Sequence, residues 1–304
     1  MKLSSRALLC CLSLMPLTSA MASDLPAEDL DAPPVVTAKS WIIADLESGA
    51  VMDSLLPDEP RKAASTTKMM CAHVVLELAR QEPAVLEEWV TVSKLAAGTQ
   101  GSTAELEEGE KVRVRDGLYA LLLPSGNDMG NAFAEHFHPR LQPPGEETPD
   151  GAKTPANATR MNFVAEMNRT ARRLGMAATT YRISYGDGGE ATDHTTTARD
   201  LVTLTLAARK DALFRQIVAT TEHTGKVRRP DESERDAVWQ NTNELLRLAN
   251  YTGVKTGTTP SAGRCLVATG SHGGRGLIVV TLGSTSDEAR FADSRNLFRW
   301  GWRR

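Results

Sequence analysis

Three short stretches of this chain hold residues able to act on a substrate covalently. The first is ASTTKMM, residues 64–70, where Ser65 and Lys68 stand three apart at the start of the apolar run CAHVVLELAR. Positions i and i+3 of a helix are neighbours, so the Lys68 amine can approach the Ser65 hydroxyl. At a helix start both the hydroxyl and its backbone N–H lie in the positive end of the macrodipole, which favours a developing alkoxide. Burial and a second nearby cation would lower the lysine pKa towards that of a neutral base. The same letters have a plainer reading, in which Ser65 caps free backbone N–H groups and Lys68 points into water. Ser-x-x-Lys alone decides nothing, because chance supplies it about once in a chain of this length.

The second stretch is PSGND, residues 124–128, which follows the helical run GLYALLLP at a break made by Pro124 and Gly126. Ser125 and Asn127 add a hydroxyl and an amide; without other signals they read as a turn and an N-cap. Ser-x-Asn recurs at Ser294-Arg295-Asn296 inside the last helix, where it reads as surface. The third stretch is Lys255-Thr256-Gly257-Thr258 at the end of an apolar strand. Gly257 lets another chain approach the strand closely, with a cation and a hydroxyl beside it. Other chemistries fit less well. Asp45, Asp128 and Glu135 show no paired spacing for a glycosidase, His136 and His138 do not share a helix face, and no H-E-x-x-H is present.

The elements that must position these groups follow from patterning. WIIADL and AVMDSL, separated by Glu47-Ser48-Gly49, form a hairpin. A helix over 65–80, apolar nearly all round, is buried. The middle is helical over 115–123, 127–137, 157–175 and 195–210. Between these lies HPRLQPPGEETPDGAKTPA (138–156), a long exposed loop that reads as a disordered insertion. Strands GVKTG, RCLVATG and LIVVTLG precede a last helix, SDEARFADSRNLFRWGW. The fold class is therefore α+β: one antiparallel sheet of five strands, flanked by helices, with a mostly helical subdomain beside it.

Bulk composition narrows the function classes. Residues 1–22 have two basic residues, a short apolar run and a small-residue end, the layout of a secretory signal peptide. Residues 23–37 read as a linker and 38–304 as the domain that carries the three stretches, exported and soluble. Removing Lys2 and Arg6 moves the formal charge from −3 to −5, and KVRVR (111–115) and KVRR (226–229) are short solvated strand faces. A nucleic-acid binder is excluded on that basis. Cys10 and Cys11 leave with the signal. Cys71 and Cys265 sit in apolar sequence as buried free thiols, with one bridge between them still open in an oxidising compartment.

Taken together and in this order, the three stretches carry a resemblance. Ser-x-x-Lys, Ser-x-Asn and Lys-Thr-Gly are paired in penicillin-binding proteins and class A β-lactamases. From about Ser40 to Trp302 the chain closely resembles the low-molecular-mass penicillin-binding proteins of the S11 type, the serine D-alanyl-D-alanine carboxypeptidases. DLESGAVM, LEEGEKVRVRDGLYALLLPSGNDMGNAFAEH, MNRTARRLGM, TTTARDL, NTNELL, GVKTGTTPSAGRCLVATG and GSTSDEARFADSRNLFRWG all contribute. The resemblance implies a fold of the β-lactamase/transpeptidase type and an acyl-enzyme on Ser65, formed on the D-Ala-D-Ala end of a peptidoglycan stem peptide. It implies that Lys68 takes the serine proton and that Ser125 with Lys255 passes a proton to the leaving D-alanine. Asn127 would hold the substrate amide, and the N–H groups of Ser65 and Thr258 would form the oxyanion hole. Thr256 and Arg290 would grip the terminal carboxylate. β-Lactams are implied as covalent inhibitors, and no cofactor or metal is implied. AGRCLV also resembles the branch of DD-endopeptidases that cut cross-links. A β-lactamase is disfavoured because Glu166, in EMNRT, lacks the E-x-x-L-N setting, and a non-catalytic module because every matched position is filled. Two segments depart from the family pattern: the insertion at 138–156 and YRISYGDGGEATD at 181–193. The chain ends where the catalytic domain does, so the C-terminal β-domain and membrane anchor of several relatives are expected to be missing.

Overall fold

A computed structural model describes residues 32–186 and 195–304. The expected signal peptide, residues 23–31 of the linker and most of the departing segment 187–193 lie outside these.

The chain begins with β1 (Ser40–Asp45) and β2 (Val51–Leu55), joined by a tight turn in which Asp45 Oδ1 accepts from the N–H groups of Glu47 and Ser48. A short β3 (Arg61–Lys62) leads to a 3-10 turn, Ala64–Thr67, that runs directly into α1 (Lys68–Gln81). Next come β4 (Trp89–Thr91), α2 (Lys94–Ala97), β5 (Lys111–Arg113), α3 (Val114–Leu122) and α4 (Asn127–Phe137). They are followed by α5 (Met161–Arg173), β6 (Thr195–Thr196), α6 (Ala198–Ala208) and α7 (Ala212–Ala219). A hairpin of β7 (Glu222–Arg228) and β8 (Glu234–Gln240) precedes the last three strands, β9 (Tyr251–Thr259), β10 (Gly263–His272) and β11 (Arg275–Ser284), and α8 (Asp287–Arg303).

The central sheet has the expected five antiparallel strands, in the order β2-β1-β11-β10-β9. Its inner strands read as unbroken apolar runs because both faces are covered. On one face Ile42, Ala44, Val267, Ile278 and Val280 join the core around Met69, Met70 and Val74 of α1. On the other, Trp41, Ile43, Leu266, Leu277 and Val279 meet Phe291, Leu297 and Phe298 of α8. Register fixes the faces: Lys255 lies opposite Val267 and Gly257 opposite Cys265, so both look towards α1.

The helical half holds more β-structure than its sequence suggests. β4, β5, β7 and β8 form a four-stranded sheet, which joins the two basic stretches by pairing Lys111 with Arg228. KVRVR is strand only to Arg113; its last two residues open α3. The charges are solvated and offset by acids: Lys226 pairs with Asp236, and Arg228 with Glu232 and Glu234. Helix bounds shift too. Residues 155–157 form a separate 3-10 turn ahead of α5, and Thr195–Thr196 is strand, with Thr197 capping α6.

The Pro-rich insertion is not a disordered excursion. Arg169 on α5 donates to the carbonyls of Gln142 and Pro143 and to Glu147, while Thr148 and Ala152 are buried beneath it. Ser294 is likewise not surface: it faces the sheet, fully buried, with its hydroxyl 3.2 Å from that of Thr281. Cys71 and Cys265 are both buried and unbridged. Burial pushes the Cys71 thiol far up and the Cys265 thiol to about 11. Among the described residues no helix is long and apolar enough to cross a membrane.

Candidate active site

The three stretches converge where the start of α1, the α3–α4 turn and the outer strand β9 meet. Ser65 sits in the 3-10 turn just before α1. Lys68 Nζ lies 2.9 Å from Ser65 Oγ, 2.7 Å from Asn127 Oδ1 and 2.9 Å from the carbonyl oxygen of Tyr185. Lys68 is fully buried and Ser65 only 6% exposed. The capping reading of Ser65 fails here: neither the 3-10 turn nor α1 has a side-chain cap, and the Ser65 hydroxyl is engaged by Lys68 instead.

The arrangement suits a base. A neutral amine has two N–H bonds and one lone pair, and Asn127 Oδ1 and Tyr185 O are placed to accept the two N–H bonds. The lone pair then faces the Ser65 O–H, 2.9 Å away. That separation is within reach for general-base transfer. Asn127 is itself held by donation from Nδ2 to the carbonyl of Gln100 at 2.7 Å.

Two residues flanking this cluster carry backbone strain. Ala64 has φ 47° and Ser125 φ 68°, a left-handed conformation that side chains rarely adopt. Such outliers persist only when packing over-determines them, and they gather at functional sites. Ala64 is locked from above: a Cβ on Gly186 would come within 2.0 Å of its carbonyl oxygen. Ser125 is locked through Gly126, where a Cβ would strike Asp128 Oδ1 and the carbonyl of Ala120 at 2.6 and 2.8 Å. The Ser125 hydroxyl that results is buried without a hydrogen-bond partner among the described residues. Orphaned buried hydroxyls are uncommon, and a catalytic group awaiting its substrate is one reason for them.

Strand β9 closes the far wall. Lys255 is buried, with Nζ 3.1 Å from the carbonyl of Thr256. Burial, then the charges of Lys68 and Arg290, hold its pKa well below the ordinary lysine range. Gly257 is the point of closest approach: a Cβ there would lie 3.1 Å from Ser65 N and 3.2 Å from Thr66 N. The amide of Ser65 thus lies against β9 at Gly257, the residue before Thr258. Arg290, from α8, donates to Thr258 Oγ1 at 2.9 Å and reaches the Gly257 carbonyl at 3.4 Å. It does not bond to Thr256, whose hydroxyl lies 2.6 Å from that of Thr242.

Several contributors carry no signal of their own in the sequence. The carbonyls of Tyr185 and Gln100 hold the key amine and amide, and any residue type supplies a carbonyl. Thr242, in the NTNELL stretch, links Thr256 to the α3–α4 turn through its N–H to the Leu123 carbonyl. Asp128, passed over as an acid catalyst, is a buried scaffold. Its carboxylate accepts from the Thr103 hydroxyl and from the N–H groups of Ala104, Leu106 and Met129. His136 pairs with Glu88 at 2.8 Å and His138 accepts from the Asn162 N–H, each ring being used structurally.

Comparison with known proteins gives one answer. The peptidase S11 family profile, described as D-alanyl-D-alanine carboxypeptidase, matches residues 27–139 and 155–286, interrupted only within the Pro-rich insertion. The chain is 33% identical over 275 residues to a D-alanyl-D-alanine carboxypeptidase of Streptomyces K15, covering 88% of each chain. It is 32% identical to the D-alanyl-D-alanine carboxypeptidase DacC of Escherichia coli, covering 91% of this chain but 64% of that one. A D-alanyl-D-alanine endopeptidase of Pseudomonas aeruginosa is 30% identical over 95% of this chain and 85% of its own. The crystal structure of the Streptomyces K15 DD-transpeptidase superposes with a TM-score of 0.78 at 33% identity, over 90% of this chain and all of that one. With its motifs gathered at one buried cluster on this fold, the chain belongs to the peptidase S11 family of D-alanyl-D-alanine carboxypeptidases.

Proposed function

We propose that this enzyme removes the terminal D-alanine from peptidoglycan stem peptides through an acyl-enzyme on Ser65. The observation that carries the reading is the buried contact between Lys68 Nζ and Ser65 Oγ, backed by a second buried lysine, Lys255. Lys68 takes the hydroxyl proton as Ser65 Oγ adds to the carbonyl carbon between the two D-alanines. The developing oxyanion lies between the N–H groups of Ser65 and Thr258, where each donor is worth about 3 kcal/mol. The C–N bond then breaks, and the departing D-alanine nitrogen receives a proton relayed through Ser125 from the lysines. Water attacks the ester in the second half, with Lys68 again as base, and Ser65 recovers its proton. Asn127 orients the substrate amide. Arg290 and the Thr256 and Thr258 hydroxyls meet the terminal carboxylate, as suits an anionic chain end. β-Lactams acylate the same serine.

Residues 1–22 direct export, and the mature enzyme works outside the cytoplasm. The deciding experiment pairs D-alanine release from a soluble peptide ending in D-Ala-D-Ala with labelling by a fluorescent penicillin, using Ser65→Ala as control. Wild type performs both and the variant neither; a wild type that does neither refutes the reading. A DD-endopeptidase is the second reading, carried by AGRCLV and by the Pseudomonas relative's name. Digestion of cross-linked muropeptides separates the two, because an endopeptidase converts dimers to monomers.

A further inference from the structure

A cavity of about 560 Å3 opens at the other end of β9, between the segment before that strand, the end of β10 and the last turns of α8. Tyr251, His272 and Trp302 line it, and their rings pack against one another: Trp302 lies 5.8 Å from Tyr251 and 5.5 Å from His272. Arg295, Arg299 and Arg303 complete the wall at four-residue spacing along α8. Among the described residues no Asp or Glu lines the cavity.

Surface arginines in this protein divide between those that hold a carboxylate and those that do not. Arg113, Arg140, Arg169, Arg199, Arg228 and Arg235 all hold carboxylates. The three at the cavity hold none among the described residues, although the chain carries more acids than bases. A cluster of unpaired guanidinium groups around partly exposed aromatic rings has a definite chemical complement. The rings accept the apolar face of a flat or cyclic body, and the guanidinium forks accept carboxylates bidentately. The volume falls in the ordinary range for a small-ligand site, about 300–1,000 Å3.

Its place in the fold ties it to the catalytic cleft. From Arg290 to Arg303 along α8 is about 20 Å at 1.5 Å per residue. From Lys255 back to Tyr251 along β9 is about 14 Å. Lys255 looks towards α1 while Tyr251 packs against Phe298 of α8, so a polymer segment that touches both passes round the outer edge at β9. We infer that the cavity is a second docking site for the peptidoglycan strand, taking a sugar ring against Trp302 and Tyr251 and a stem-peptide carboxylate on Arg295 and Arg299. This rests on the stem-peptide reading above. The enzyme would thereby distinguish polymer-borne chain ends from free peptides.

The test uses the double variant Arg295→Glu/Arg299→Glu, both positions outside the catalytic cluster, with its thermal midpoint measured first. Turnover of a soluble D-Ala-D-Ala pentapeptide should be unchanged, while kcat/KM on polymeric, uncross-linked glycopeptide should fall about tenfold or more. In a Ser65→Ala background, which holds substrate without turnover, co-sedimentation with insoluble peptidoglycan should be lost on adding the double change. Equal turnover on both substrates together with unchanged co-sedimentation overturns the inference. So does competition by polyglutamate or single-stranded DNA as effective as that by muropeptides of matched charge, for the surface would then be a general anion binder. Should the wild type release no D-alanine from the pentapeptide, the catalytic reading falls, yet the co-sedimentation comparison still decides the cavity.

Discussion

Gly257→Ala puts the closeness of β9 and Ser65 to a direct test. The added Cβ would sit 3.1 Å from Ala64 Cβ, 3.1 Å from Ser65 N and 3.2 Å from Thr66 N. Comfortable separations for such pairs are about 3.5 Å or more, so each contact is about 0.4 Å short. Two of the three atoms are backbone in a turn already strained at Ala64, and none can swing aside as a long side chain would. The strand and turn must therefore part by about 0.4 Å. Oxyanion donors act within a narrow range of about 2.7–3.1 Å, and a misplacement of 1 Å costs about 10²-fold. Acylation should fall about 10- to 10²-fold, equivalent to about 1.4–2.7 kcal/mol of lost transition-state stabilisation. Overpacking costs about 1–3 kcal/mol in stability, so the variant should still fold. The assay is the second-order rate of acylation by a fluorescent penicillin, with D-alanine release alongside. An unchanged rate in a folded variant would refute the argument that this glycine sets the site's width.

Two further predictions concern buried charge. Because the Lys255 pKa is held down by burial and then by Lys68 and Arg290, the unfolded chain binds a proton that the folded one sheds across the interval from the depressed value to the ordinary one. Wild-type stability should rise with pH through that interval relative to Lys255→Met, whose gain is greatest at acid pH and vanishes above the ordinary lysine value. Urea midpoints between pH 6 and 10 check this, and parallel curves for the two proteins would contradict it. Asp128→Ala leaves a buried hydroxyl and several N–H groups without an acceptor, each worth about 1–3 kcal/mol. We expect a loss of about 3–5 kcal/mol, read as a fall in the thermal midpoint of about 8 °C or more; a fall under 2 °C would contradict the scaffold role.

The parts of the site that are legible in sequence are those in which side-chain type does the work. Ser65, Lys68, Ser125, Asn127 and Lys255 announce themselves by chemistry and order, and the central sheet by its apolar runs. What stays hidden depends on backbone or on distant neighbours. The Tyr185 carbonyl that holds Lys68 leaves no trace in residue identity. The hairpin β7–β8 buries one face only, through Gly225, Val227, Ala237 and Trp239, so its apolar signal is thin, and six of its fourteen residues are charged. The insertion's order comes from Arg169, more than twenty residues away on another element, where no local composition can reveal it. Ser294 looks like a surface serine because helix α8 is rich in charge, yet it lies on the stripe facing the sheet.

The central sheet also dictates when this enzyme can exist. β1 pairs on one side with β2 and on the other with β11, Ser40 lying opposite Leu282. The chain's opening hairpin therefore has to wait for nearly all the remaining residues before its inner edge is satisfied. Contacts this distant in sequence are slow to close, since loop entropy must be met before they repay it. The strand that carries Lys255 and Gly257 is held in the same sheet, β9 pairing with β10 and β10 with β11. Acylation by penicillin thus reports that the sheet has closed, and a species truncated before β11 should take no label however well its helices form.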